Sequence, residues 1–304
     1  MKNIFMLIIF IVAGLISFTT AKVDPVLQKK LEKTVVGFEG EVGIFVKNLS
    51  TGKSASINSE KIFPTASMIK VPILLTIFDK INLGELKYNQ ELIYKDSLLY
   101  PGSDLLGSFK DGEKITLSKL VMLMITTSDN TASLWLQHLA GTGTDINGYL
   151  SDNGFEMTRV NSRTEGRKED WQKYGWGQTT PKEMAELLVS IHQGKAVGKS
   201  ADEEMYRVLC NIYLNDVALT QIPPFVQAAS KQGAVSQSRS EVVLVNGPSG
   251  DYVFCVITKN QKDTSWDFDN AGYVLIRQIS NLLWDYFEPG LEWKPAEGFE
   301  KWAK

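Results

Sequence analysis

Cysteine and histidine are the scarcest chemistry-bearing residues in this chain, two of each among 304. Zinc sites draw on clustered Cys and His ligands, and Cys210, Cys255, His138 and His192 are scattered along the sequence. No metal and no other cofactor is expected. Two cysteines also cannot make a disulfide framework. Cys255 lies in the apolar run "YVFCVI" and reads as a small buried hydrophobe, so free thiols are expected at both positions. A basic excess is missing too, with 32 Lys and Arg against 35 Asp and Glu. That balance argues against a nucleic-acid partner. There is no internal repeat, low-complexity tract or long linker.

What is present suits a large folded unit, since 43% of residues are hydrophobic and 22% charged. The first 21 residues stand apart. Lys2 precedes an apolar run from Ile4 to Phe18, which ends in Thr19-Thr20-Ala21, a small-x-small pattern. A signal peptide cleaved after about Ala21 is expected, which places the protein in the periplasm or outside the cell. The alternative is an uncleaved anchor, for which the run is somewhat short. No cysteine follows it, so a lipid anchor is not indicated.

The remainder, 22–304, is expected to be one catalytic domain. "VDPVLQKKLEKTVVGF" carries apolar residues at helical spacing, and alternating text follows around a "STGK" turn. The middle of the chain is helical, in "VPILLTIFDKI", "TLSKLVMLMITT", "TASLWLQHLA" and "TPKEMAELLVSI". Strand-like text returns at "FVQAASKQGAV", "EVVLVNG" and "DYVFCVITK", before a closing helix in "AGYVLIRQISNLLWDYF". This order predicts an α+β fold: an antiparallel sheet flanked by terminal helices, about 22–62 and 205–304, plus an all-α inserted subdomain, about 63–204. The cleft between them is the expected site.

Three short stretches could carry chemistry. In "TASMIK", Ser67 and Lys70 are three apart at the start of an apolar helix, so they share a face and the serine has a base beside it. Taken alone, S-x-x-K is a weak motif, and a solvated helix start is the better explanation of it. The apolar text after it calls for burial, however, and a lysine heading a buried helix needs a reason. Pro72, so near that start, has no functional account. In "TTSDNTA", Ser128-Asp129-Asn130 precedes another helix and also reads as a helix cap. In "SKQGAV", Lys231 and Gly233 lie on a strand and also read as an edge lysine beside a bulge glycine.

Together, in the order S-x-x-K, S-D-N, K-x-G, these stretches match the trio of class A β-lactamases and penicillin-binding proteins. From about residue 36 to its end the chain resembles the class A β-lactamase family, in "INSEKIFPTASMIK", "LMITTSDNTA" and "TTPKEMAELL". The resemblance implies a β-lactamase/transpeptidase-like fold and a serine hydrolase that opens β-lactam rings through an acyl-enzyme on Ser67. It implies that Lys70 takes part in proton transfer and Ser128 relays a proton to the leaving nitrogen. Asn130 would hold the substrate amide, and Lys231 would attract its carboxylate. The N–H groups of Ser67 and Ala234 would form the oxyanion hole, with Gly233 allowing close approach. Glu165, in "RTEGRKEDWQKYGWGQTTP", falls at the deacylating base's place, or is a surface glutamate of a charged loop. Arg239 would assist with the carboxylate, or is a strand-edge charge. Tyr100 would be a rim aromatic, or a packed turn residue.

Three positions depart from the family pattern. Gln232 replaces a hydroxyl residue in the substrate-binding strand, Glu169 stands where an asparagine is expected, and Gln178 replaces the aspartate expected to pair with Arg163. The nucleophile machinery is therefore complete and the hydrolysis machinery partly matched. The expected activity is β-lactam hydrolysis by a monomer acting on a small-molecule substrate, β-lactam or peptidoglycan-like, with no obligate protein partner. The alternatives are a D-Ala-D-Ala peptidase or esterase, and a β-lactam or muropeptide receptor that does not hydrolyse.

Overall fold

The computed structural model describes residues 22–298 except 103, 292 and 296. The expected signal peptide lies outside the described residues. Helix α1, Pro25–Thr34, starts where Asp24 accepts hydrogen bonds from Val26 N and Leu27 N, with proline at the first helical position. The central sheet is built from β1 (Lys22–Val23), β2 (Glu41–Asn48), β3 (Lys53–Ile57), β4 (Ala228–Val235), β5 (Ser238–Val245) and β6 (Tyr252–Lys259). Its order is β1-β3-β2-β6-β5-β4. Neighbours run antiparallel, as expected, except for a two-residue parallel pairing of β1 with β3.

Side chains of a strand alternate between faces, and here both faces are covered. Val243, Phe254 and Val256 pack against Leu27 and Leu31 of α1 and against Leu275, Ile279 and Trp284 of the closing helix. Val242, Val253, Cys255 and Ile257 pack in the other core with Met184, Leu188 and Ile191. Double-sided burial explains why "YVFCVI" is a continuous apolar run, and each such side chain contributes about 1.5–3 kcal/mol. Both cysteines are free thiols.

The helices of the insert are α2 (Lys70–Asn82), α3 (Leu117–Thr126), α4 (Asn130–Leu139), α5 (Thr142–Asp152), α6 (Lys168–Tyr174), α7 (Pro181–His192) and α8 (Lys199–Leu209). Helix α9, Ala271–Phe287, closes the chain on the sheet. Helix α2 is the hub: every residue from 70 to 78 is buried, and α3, α4, α5 and α8 all pack on it. Pro72 is its third residue, where the N–H has no intrahelical acceptor in any case, so the proline is accommodated. The expected boundary at about 204/205 falls within α8, whose Met205 and Leu209 pack in the core shared by the insert's helices and one face of the sheet.

Candidate active site

Ser67 stands on a 3-10 turn, Ala66–Ile69, that runs directly into α2. Ala66, immediately before the serine, holds φ at +44°, a left-handed conformation costly for a residue with a Cβ. Ser67 is half-buried and Lys70 fully buried. One turn apart, Lys70 Nζ reaches Ser67 Oγ at 3.2 Å. It also contacts Asn130 Oδ1 at 2.7 Å, Ser128 Oγ at 3.0 Å and the Ser128 carbonyl. Burial, and after it the Lys231 charge, hold the Lys70 amine well below the usual lysine range, while Asp104 and Asp129 oppose that shift. A neutral amine donates to the two carbonyl-type oxygens and keeps its lone pair for a hydroxyl proton. That is what a general base for Ser67 requires.

The Ser128-Asp129-Asn130 stretch is a helix cap and a site element at once. Asp129 caps α4 through Ala132 N at 2.8 Å, and its second oxygen accepts Leu106 N at 2.9 Å. Asp104 Oδ2 accepts the N–H groups of Asn130 and Thr131, each at 2.8 Å. These carboxylates fix the helix start, and Ser128 adopts φ of +58° just ahead of it. Ser128 Oγ thereby lies between two amines, 3.0 Å from Lys70 Nζ and 3.1 Å from Lys231 Nζ.

Lys231 comes from β4, the edge strand beside the nucleophile turn. It is fully buried, and burial pulls its pKa down to about 8 against the opposing charge of Glu241. A Cβ on Gly233 would lie 2.6 Å from Thr65 O and 2.9 Å from Ser67 N, so only glycine lets the strand approach this closely. Gln232 points elsewhere. Its amide donates to Leu214 O at 2.7 Å, and it does not line the cleft.

The cleft has a volume of about 570 Å³, and Ser67, Tyr100, Asn130 and Ala234 line it. The ring of Tyr100 meets Trp176 edge-on, centroids 5.2 Å apart. The sequence reading missed the aromatic wall of Tyr174 and Trp176 and the cations Lys173 and Lys259. The aromatic-rich "YGWG" ending the loop was the available signal for the wall. Lys259, the last residue of β6, had none.

Besides Gln232, two more expected site residues lie elsewhere. Arg239 is fully buried, not an exposed carboxylate ligand. Its guanidinium donates to Val235 O, Ser238 O (2.9 Å) and Ser265 O, and sits between the rings of Trp266 and Tyr273. Glu165 is exposed, contributes nothing to the lining, and has no hydrogen bond to Lys70 or Ser67 among the described contacts. Glu169 is also exposed, at the start of α6. The loop is tied by a different arginine from the expected one. Arg167 donates to Asn161 Oδ1 at 2.8 Å and to Gln178 Oε1 at 2.9 Å and pairs with Asp170, whereas Arg163 is exposed. None of the described residues lining the cleft is a carboxylate.

Comparison with known proteins agrees with this geometry. β-Lactamase VEB-1 of Pseudomonas aeruginosa is 23% identical over 284 residues, covering 90% of this chain and 93% of its own. The solved structure of PBP-A is 25% identical with a TM-score of 0.78, covering 88% of this chain and 98% of its own. A mutant of PBP-A, solved as an acyl-enzyme complex with penicillin G, matches with the same figures, TM-score 0.78 and 25% identity, over 88% of this chain and 98% of its own. The family model described as "Beta-lactamase enzyme family" matches residues 26–287, and the chain belongs to that family.

Proposed function

We propose that this protein is a class A-like serine hydrolase that opens β-lactam rings by acylating Ser67 and releases the acyl group slowly. The observation that carries this reading is the buried amine of Lys70, 3.2 Å from Ser67 Oγ, in a cleft without a described lining carboxylate. Lys70 accepts the Ser67 proton as Oγ attacks the lactam carbonyl. The N–H groups of Ser67 and Ala234 stabilise the oxyanion. Ser128, between the two lysines, passes a proton to the lactam nitrogen, while Asn130 holds the side-chain amide and Lys231 attracts the substrate carboxylate. Hydrolysis of the ester then needs a water and a base. In many hydrolases a positioned general base contributes about 10² to 10⁴ in rate, and among the described residues lining the cleft there is no carboxylate.

The same geometry favours a second reading, a D-Ala-D-Ala peptidase or receptor for which β-lactams are trapping agents. It too rests on the absence of a carboxylate among the described lining residues and on the likeness to a PBP-A mutant solved as an acyl-enzyme complex with penicillin G. On the apolar run from Ile4 to Phe18 we infer export to the periplasm or medium; we propose separately that the protein acts as a monomer. Mixing the protein with a chromogenic cephalosporin tests the reading. A burst stoichiometric with enzyme, an adduct in the intact mass and no adduct on Ser67→Ala are expected. An adduct on Ser67→Ala sinks the nucleophile assignment, and rapid steady hydrolysis without a burst sinks slow release.

A further inference from the structure

The cleft is lined by two lysines that the acylation chemistry above does not use, Lys173 and Lys259. Lys259 ends β6, and its side chain is only 16% exposed. Ser240 of β5 pairs with Ile257 of β6, so two residues further on Ser238 stands abreast of Lys259. Ser238 in turn pairs with Val235 of β4. Side chains of directly paired residues share a face of the sheet, and along a strand every second residue does. Lys259, Ser238, Val235, Gly233 and Lys231 therefore lie on one face, the face on which a Cβ at Gly233 would meet Ser67 N. With strands about 4.8 Å apart and a rise of about 3.3 Å per residue, the Cα atoms of Lys231 and Lys259 are roughly 16 Å apart. The cleft thus has a cation at each end of this face.

The far cation has room for a ligand. Lys259 Nζ donates to Ile62 O at 3.1 Å and lies 4.9 Å from the centre of the Phe63 ring. An ammonium has three donors, so capacity remains. The carboxylate near it is Glu41, 3.6 Å away, which does not line the cleft, accepts from Asn260 at 2.8 Å and pairs with Lys61. Ser238, also in the lining, is buried, and its Oγ has no hydrogen-bond partner among the described residues. Such a hydroxyl is costly to leave unpaired, and an incoming oxygen would satisfy it. Lys173, exposed near the end of α6, lies 5.0 Å from the centre of the Tyr174 ring. Thr65 N donates to Gly177 O at 3.0 Å, which seats the end of that loop beside the segment that Lys259 touches.

We propose that Lys259, with the Ser238 hydroxyl beside it and Lys173 on the loop, binds a second carboxylate of the substrate, so that the preferred β-lactams or peptides carry an anionic acyl side chain. This inference rests on the acyl-enzyme reading of Ser67. A lactam carbonyl has the ring nitrogen, leading to the ring carboxylate, on one side and the carbon bearing the acylamino arm on the other. With the ring carboxylate at Lys231 and the carbonyl between Ser67 and Ala234, the arm runs along β4 away from Lys231. That direction leads to Ser238 and Lys259. The separation of the two lysines suits a lactam nucleus with an extended arm, and the rings of Tyr174 and Trp176 line the same cleft for apolar atoms of that arm. Two lysines and no described carboxylate in the lining also attract a dianion more strongly than a monoanion.

The test compares second-order acylation rates for benzylpenicillin and its α-carboxy analogue, two compounds that differ only in the extra carboxylate, each in competition with a fluorescent penicillin. Lys259→Gln is expected to slow the dianion about tenfold more than the monoanion, as loss of a charge-assisted hydrogen bond does. Lys173→Gln, at an exposed and screened position, is expected to change the same ratio by about two- to threefold. In the wild type the ratio of dianion to monoanion rates should fall as salt is raised. Equal losses for both penicillins in Lys259→Gln would show a merely structural lysine and overturn the proposal, as would a wild-type ratio indifferent to salt. Absence of acylation in the wild type refutes the acyl-enzyme reading instead. Equilibrium binding of the two penicillins to Ser67→Ala, with and without Lys259→Gln, then carries the test without acylation: the same selective loss is expected, and equal losses overturn the inference.

Discussion

The Lys70 amine and the Ser67 hydroxyl face each other at 3.2 Å across a single helical turn, with the amine wholly buried. Acylation needs that amine neutral and Lys231 charged. Because burial and the Lys231 charge depress the Lys70 pKa, its neutral form extends to lower pH than for an ordinary lysine and is lost as pH falls through the lowered value. Lys231 behaves oppositely, since its charge is present below about pH 8 and lost above it. Labelling rate against pH is therefore expected to be bell-shaped with an alkaline limb near pH 8. A rate rising steadily from neutral pH to the ordinary lysine range would contradict these assignments.

The loop tie gives a second expectation. Arg167 makes charge-assisted bonds to Asn161 and Gln178 at 2.8 and 2.9 Å, and such bonds contribute about 1.5–3 kcal/mol in partly buried settings. Its side chain keeps some solvent contact, so Arg167→Ala is expected to cost about 1–2 kcal/mol. Arg163→Ala should stay within about 0.5 kcal/mol, as exposed positions do. Denaturant melts of both variants check this, and equal losses would return the tie to Arg163.

Much of the fold was legible because local pattern and tertiary role coincide. The continuous apolar runs in "EVVLV" and "YVFCVI" became the sheet's central strands, and the apolar text after Lys70 became the buried hub helix. The Ser67, Lys70, Ser128 and Lys231 cluster was legible as order along the chain, although only packing brings β4 against the nucleophile turn. Glu165 and Arg239 were not legible. In a loop rich in Arg, Lys and Glu, spacing cannot say which arginine meets Gln178. On β5, the cation's orientation depends on Trp266 and Tyr273, which lie far along the chain. Lys259 was hidden for the same reason.

The exposed position of Glu165 leads to a third expectation. Glu165→Gln and Glu169→Gln should each change the rate of acyl-enzyme loss by less than about tenfold, well short of the 10² to 10⁴ expected for a positioned general base. Mass spectrometry of a preformed penicillin adduct over time measures this. A hundredfold slower loss in Glu165→Gln would mean that the loop moves to bring that carboxylate into the cleft.

Gly233 supplies the last expectation, because it separates the steric demand of the site from its electrostatics. Its backbone is not in the left-handed region, so alanine there is not conformationally strained, and the whole effect must come from contact. The new methyl would meet Thr65 O at 2.6 Å, and Ser67 N and Ser240 Oγ at 2.9 Å each. The first and second of these are backbone atoms of the nucleophile turn and cannot rotate away. Either β4 retreats from that turn or the turn shifts, and both displace Ser67 N from Ala234. Gly233→Ala is therefore expected to cost about 1–3 kcal/mol in stability, the usual result of overpacking. Labelling of Ser67 is expected to fall by about 10² or more, as when one oxyanion donor is removed. The alkaline limb near pH 8 should stay in place, since Lys231 and Glu241 keep their charges. Normal labelling in a stably folded Gly233→Ala protein would show that the strand need not approach the serine so closely, and would remove Ala234 from the oxyanion hole.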